Sequence, residues 1–415
     1  MKNTLLICLL LSSFSPVFSQ ELLAEITVYS GKYNRTDTPV EFVLDQLTIS
    51  TSDNLLLKEK KTNKSIAFQI SQSESLKLSW ILEGNLPKKS SRVYNLYRSE
   101  VEKTFEKGVD LHDTGDDLQI VKNKKQILSF RYSPQSPPKG VDSVFTRSGF
   151  IHPVWAPEGQ IISRIQPPDH YHHYGLWNPW THTEFEGRKV DFWNLGERQG
   201  TIQFREFISR ESGPVFGGFK ALQQHIDLTA PGGKKVAMNE VLGVKVWNTP
   251  SPQYNILDIN SNLNAASNSP LLIEEYRYAG LGFRATESWT NKNTKILTSE
   301  GKDRKTGDAT RARWCNIEET TAADSPGILF LSHIQNYSFP EPMRIWPEDA
   351  NGGRGDVFFQ FSPTRERDWE IKPGHSYGLK YRLIVYNGKL STQRIEELWT
   401  DLNYPPSVKI NYLNN

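Results

Sequence analysis

"KVAMNEVLGVKVWN" occupies residues 235–248, and after a Thr-Pro-Ser-Pro break "NILDINSNLNA" occupies residues 255–265. In the first stretch Leu242, Val244 and Val246 recur at every second position; in the second, Leu257, Ile259 and Leu263 keep the same phase. A period of two is that of a strand whose side chains alternate between faces, one apolar and one polar. Two such runs joined through a proline-rich break read as long antiparallel neighbours with one face on a core.

Similar runs lie on either side. "LQIVKNKKQILSFRY", "TIQFREFISRE" and "KALQQHIDLTA" precede it; "GILFLSHIQ", "DVFFQFSP" and "SYGLKYRLIVYNG" follow. Earlier still, "AEITVYSG", "VEFVLDQLTI", "SIAFQISQ", "SLKLSWILEG" and "RVYNLYRSE" form a separate series of shorter strands. The expectation is an all-β protein: a small β domain over residues 21–98, a charged connector over 99–116, and a large antiparallel β-sandwich over 117–410. Helical periodicity is convincing only in "TQRIEELWTDL", residues 392–402. Loops rich in unusual chemistry fall at residues 149–200, 278–313 and 333–354.

The chain has 415 residues, enough for an ample core without staples, and its 49 basic and 47 acidic residues leave a net charge of +2. Such a balance excludes the basic footprint of a nucleic-acid or anionic-membrane binder. The start, "MKNTLLICLLLSSFSPVFSQ", reads as a secretory signal peptide over residues 1–20, with an apolar run too short to span a bilayer. Cys8 lies inside that run and not behind a lipobox, so the expectation is an exported protein, periplasmic or secreted, without membrane insertion. Cys315 would be the one cysteine left after cleavage, a small buried hydrophobe.

The 9 His are unevenly spread: five lie between His152 and His182, four of them in "PPDHYHHYGLWNPWTH". Three readings compete. If residues 169–174 are extended, His170 and His172 share a face, and a zinc ion could take them with His152, His182, Glu184 or His333 as third ligand. Alternatively the imidazoles do acid–base work on a sugar, with Tyr174 as proton donor, Trp177, Trp180 and Trp193 as stacking platforms, and Arg188, Arg284, Arg311 or Arg313 as a clamp for an anionic group. Glu300, Lys302 and Asp303 sit in a polar loop that suits binding or plain solvation. The plainest reading is an aromatic polar core with each His satisfied by a backbone carbonyl. The sequence has no phosphate loop, GxSxG elbow or CxxC pair, and no spacing singles out a carboxylate pair.

"GKYNRTDTPVEF", "RSGFIHPVWAPEG", "PPDHYHHYGLWNPW", "LTSEGKDRKTGDATRARW", "PEPMRIWPE" and "YRLIVYNG" together resemble the exported family labelled PmoA-like, over residues 31–388. The resemblance implies a galactose-mutarotase-like supersandwich behind a small β domain, in polysaccharide-degrading bacteria. It does not imply methane oxidation, because the chain has no apolar run of membrane-spanning length. Tyr174 departs from it, at a position where Arg is common in that family. The resulting expectation is a carbohydrate-active enzyme on acidic, uronate-containing oligosaccharides, a lyase or dehydratase working by β-elimination. His170, His172, His173 and Tyr174 would be catalytic. His152, Trp177, Trp180, His182, Arg188, Arg284, Glu300, Lys302, Arg311, Arg313 and His333 would hold the sugar. No cofactor is required, with zinc at His170 and His172 left open. A glycoside hydrolase, a mutarotase-like epimerase and a non-catalytic sugar-binding protein stay open too, as does the oligomeric state.

Overall fold

The computed structural model describes residues 20–44, 49–72, 75–100 and 104–413. The signal-peptide reading of residues 1–20 therefore lies, Gln20 apart, outside the described residues.

Alternation dictates the architecture. In the strand Lys235–Trp247 burial alternates strictly from Asn239 to Val246, with Glu240, Leu242, Val244 and Val246 turned inward. It pairs antiparallel with Tyr254–Ala265, Val244 opposite Ile259. These two are central to an eight-stranded sheet that runs from Gly200–Glu211 at one edge to Thr294–Thr298 at the other. A second eight-stranded antiparallel sheet runs from Val109–Asp113 to Met343–Ile345. Between them lies the main core, including Phe130, Leu242, Val244, Ile259, Phe283, Phe330 and Leu383. Each such side chain contributes about 1.5–3 kcal/mol by leaving water. The molecule is thus an all-β sandwich, as the period of two predicts.

The N-terminal strands form a five-stranded and a three-stranded sheet around their own core, centred on Trp80, Leu78 and Leu96. Two boundaries differ from the sequence reading. Residues 109–113, placed in the connector, pair with Asp117–Lys122 and edge the large sheet. The last strand, Ser407–Tyr412, pairs with Gln20–Tyr29 and belongs to the small unit's sheet. Propensity shows that a segment is a strand; only tertiary pairing shows to which sheet it goes.

The one α-helix among the described residues is Thr392–Asn403, one residue longer than the periodicity predicts. Ser391 caps it, its Oγ accepting from Arg394 N at 3.1 Å. Ile395, Leu398 and Trp399 pack on Trp247, Trp314 and Tyr386. Its far end carries Asp401, which accepts from the buried Arg35 at 2.7 Å and from Thr38 at 2.9 Å. The helix so bolts the small unit to the large one. No helix among the described residues is long and apolar enough to cross a membrane.

Candidate functional site

"QPPDHYHHY" is not extended. Pro167 and Pro168 fix two φ angles, and the chain turns: His170 N donates to Pro167 O at 2.9 Å and His173 N to His170 O at 3.0 Å. Gln166 N donates to His173 O at 2.7 Å, and a bridge between Ile165 and Tyr174 closes the loop. The expectation that His173 faces away from His170 and His172 is corrected. The turn brings all three imidazoles together, one potential ligand atom from each lying within 4.8 Å of the others.

An aromatic bed carries the cluster. His173 is 1% exposed, its ring 5.1 Å from Phe358, 5.3 Å from Trp177, 5.5 Å from Trp346 and 5.9 Å from Trp193. His170 stacks on it at 4.7 Å. Burial, then the neighbouring His172, hold His173 well below the usual imidazole range. Burial, then His170, bring His172 down to about 4. Both are therefore neutral near pH 7.

Behind His170 stands a charged support. Asp169 Oδ2 accepts from His170 Nδ1 at 2.8 Å, from Arg284 Nη2 at 2.8 Å and from Asn351 Nδ2 at 2.9 Å. Burial opposes the charge on Asp169, but the His170 hydrogen bond and the Arg284 guanidinium win and hold its carboxyl far below the usual range. Arg284 also donates to Asp356 at 2.7 Å and lies over the Trp346 ring at 4.7 Å. Arg284 thus joins the site from beneath, as an anchor for Asp169.

The cluster floors a cleft of about 230 Å³ whose walls include Trp193, Trp346, Tyr276, Tyr278, Thr181 and Asn194, with Arg277 at its edge. Arg277 is exposed, lies 5.3 Å over Tyr278, and among the described residues pairs with no carboxylate. Arg344 also lies 5.1 Å from the centre of the Tyr278 ring, whose hydroxyl accepts from Trp346 Nε1 at 3.1 Å. Asn194 also borders an adjoining cleft of about 430 Å³, lined by His182, Lys189, Asp191, Glu197 and Glu274. His182 stacks on Tyr276 at 3.6 Å where the two clefts approach each other.

Several predicted site residues lie elsewhere. Tyr174 is fully buried, donates to Phe145 O, carries Arg147 over its ring at 5.2 Å, and is pushed up to about 12 by burial. It does not line the cleft. Trp177 lies under His173, and Trp180 is in the main core against Trp369, so neither forms the expected open wall. His152 bonds Ser163 Oγ at 2.9 Å, and burial brings it down to about 4. His333 accepts from Gln335 N, and Glu184 pairs with Lys189 at 2.9 Å; none of these, nor His182, is among the ligands that converge.

The arginine clamp also moves. Arg188 pairs with Asp227 at 2.7 Å. Arg311 donates to Ser338 O, Pro340 O and Glu366, and Arg313 holds Glu396 through two 2.9 Å bonds. The expectation that Arg311 and Arg313 share a pocket with the His cluster is corrected: both guanidiniums are spent on other partners. Glu300 accepts from its neighbour Ser299, Lys302 N donates to Thr298, and Asp303 caps its own turn. The residues that sequence reasoning missed are Asp169 as a support, Tyr276, Arg277, Tyr278 and Trp346. The signal was the pattern "YRY", two rings around a cation just before the Gly280 turn.

Residues 117–400 match the family of unknown function DUF6807, and the chain belongs to that family. Its description carries no methane-oxygenase label. No curated protein matches the sequence. Among solved structures the chain is similar to heparan sulfate lyase HepC from Pedobacter heparinus, at 8% identity and TM-score 0.31, over 70% of this chain and 37% of the lyase. It is similar to a galactose mutarotase related enzyme from Lactobacillus acidophilus, at 8% identity and TM-score 0.35, over 68% of this chain and 100% of that one. A heparinase III is similar at 9% identity and TM-score 0.30, over 70% of this chain and 36% of its own. The chain therefore spans little more than a third of the length of either lyase.

Proposed function

We propose that this DUF6807 protein is an exported carbohydrate-active enzyme that cleaves or dehydrates acidic oligosaccharides by β-elimination in the cleft above His170, His172 and His173. One observation carries the reading: imidazoles, an unpaired guanidinium and stacked aromatic walls converge on a single cleft. Flat rings suit pyranose faces, and Arg277 suits a carboxylate, to which it can offer two parallel donors. The C5 proton of a uronate is weakly acidic. Its removal needs the carboxylate charge offset while a base takes the proton. The C5–H electrons then form the C4–C5 double bond, the C4–O bond breaks, and the departing oxygen takes a proton. The base is an imidazole of the cluster or the Tyr278 phenol, which has both Arg277 and Arg344 near its ring. Among the described residues no Asp or Glu lines this cleft, which gives paired-carboxylate glycoside hydrolysis no support within it.

The test is incubation with a panel of acidic and neutral oligosaccharides, reading absorbance at about 235 nm for the conjugated product together with mass change. Elimination on uronate-containing members supports the reading. Sugar binding with neither a mass change nor a change of configuration turns it to a non-catalytic binding protein, a change of configuration at constant mass turns it to an epimerase, and a gain of one water turns it to hydrolysis. Export has its own check: the N-terminus of the native protein is expected close to Gln20 or Glu21, and an intact Met1 would overturn it.

A further inference from the structure

We propose that His170, His172 and His173 form a divalent metal centre of the zinc class, with an open position facing the cleft. The inference rests on the cleft being the reactive site and narrows its chemistry.

The three ligand atoms lie within 4.8 Å of one another. Three imidazole nitrogens set tetrahedrally about 2.0–2.1 Å from zinc lie about 3.4 Å apart, so the cluster need close by no more than about 1.4 Å. Two features point to a ligand independently. Asp169 can only accept, so His170 Nδ1 carries the hydrogen and Nε2 keeps its lone pair free. A carboxylate behind a histidine is how metal-binding imidazoles are oriented and made more basic. Asp169 is itself pinned by Arg284 and Asn351, so the support is rigid. Second, His173 is 1% exposed and its Nδ1 is buried without a partner among the described residues. A buried imidazole left bare costs free energy that a bound cation would recover.

The donor set is all nitrogen, which suits zinc, copper or nickel over magnesium or calcium. Three protein ligands with a fourth position open to solvent is the arrangement of catalytic zinc, whereas structural zinc is closed by four. Neutral imidazoles leave the ion its full double charge, so the open position would take a carboxylate oxygen of the substrate beside Arg277. With the imidazole lone pairs on the metal, Tyr278 becomes the proton-transfer group.

The decisive measurement is titration of untagged, chelator-stripped protein with Zn²⁺ by calorimetry, and with Co²⁺ by visible absorption. One ion per chain is expected, with cobalt bands of a four-coordinate site. His170→Ala and His172→Ala should each abolish stoichiometric binding. Asp169→Asn should keep the stoichiometry and weaken affinity about 10–100-fold. Circular dichroism checks that each variant is folded, and Asp169→Asn keeps the test alive if a histidine variant is not. No binding by the wild type, or binding unchanged in both histidine variants, overturns the metal centre. Zinc binding without sugar turnover leaves the centre standing and overturns the elimination reading. Turnover by the metal-free protein overturns the centre's part in the reaction and returns proton transfer to the imidazoles.

Discussion

Two buried histidines make an instructive pair. His173 and His225 are 1% and 0% exposed, and burial holds both below the usual imidazole range. Each has a buried Nδ1 without a partner. Their surroundings differ. His225 Nε2 meets Glu240 at 3.1 Å, and the other carboxylate oxygen accepts from Asn178 at 2.8 Å and Ser261 at 2.7 Å. That network closes on itself between the sheets. His173 has no such partner, two further imidazoles beside it, and a cleft above. Burial and a depressed pKa therefore do not mark a functional histidine. What separates the two is an unspent ring nitrogen next to open space.

The largest effect should come from the closed network. Glu240→Ala leaves His225, Asn178 and Ser261 without their acceptor, and at about 1–3 kcal/mol for each buried group left unsatisfied it should give the largest loss of unfolding free energy in a denaturant titration. His172→Ala, in the open cluster, should cost only about 1 kcal/mol while removing metal binding and turnover. If Glu240→Ala abolishes turnover at a temperature where it is folded, the division between the two sites fails.

A second closed network gives the next largest effect. Glu341 is fully buried and accepts from Tyr381 at 2.6 Å, from Asn336 at 3.0 Å and from Ser332; burial raises it to about 7. Its folded value exceeds its unfolded one. The stability it contributes is therefore fully present below about pH 4.5 and is lost as pH rises through about 7. The loss is on the order of 3 kcal/mol. Glu341→Gln should flatten that slope in unfolding curves taken between those pH values, and an unchanged slope would assign it to other groups.

Arg277 sharpens the open side. Arg277→Ala should weaken binding of carboxylated oligosaccharides about 10–100-fold and leave neutral ones nearly unchanged, which competition binding would show. Equal losses for both kinds would make Arg277 a wall and not a clamp. The smallest effect belongs to Arg313→Ala. Its half-exposed pair with Glu396 should be worth no more than about 1 kcal/mol, with KM unmoved.

The strands and the helix were legible because their periods are local. Alternation in residues 239–246 and the spacing of Ile395, Leu398 and Leu402 follow from the chain alone. The His cluster was legible as a concentration but not as a geometry. Assuming an extended segment put His173 on the wrong face, and two prolines with a loop-closing bridge decided otherwise. The clamp was the least legible part. Whether an arginine is free depends on carboxylates far away in sequence: Arg311 is taken by Glu366 and Arg313 by Glu396, whereas Arg277 is taken by none among the described residues. Trp346 and Tyr278 lie in loops whose chemistry stood out, yet nothing local singles out those two rings.

The pairing of Ser407–Tyr412 with Gln20–Tyr29 has a consequence in time. Synthesis delivers the first of these strands well before its neighbour, so one edge of the small sheet waits with open N–H and C=O groups until Ser407–Tyr412 is made. Contacts between segments far apart in sequence are slow to form. That edge of the small sheet is therefore covered only once Ser407–Tyr412 has been made and has paired with Gln20–Tyr29. A chain ending before Ser407 would keep that edge bare and should associate with its own copies through it.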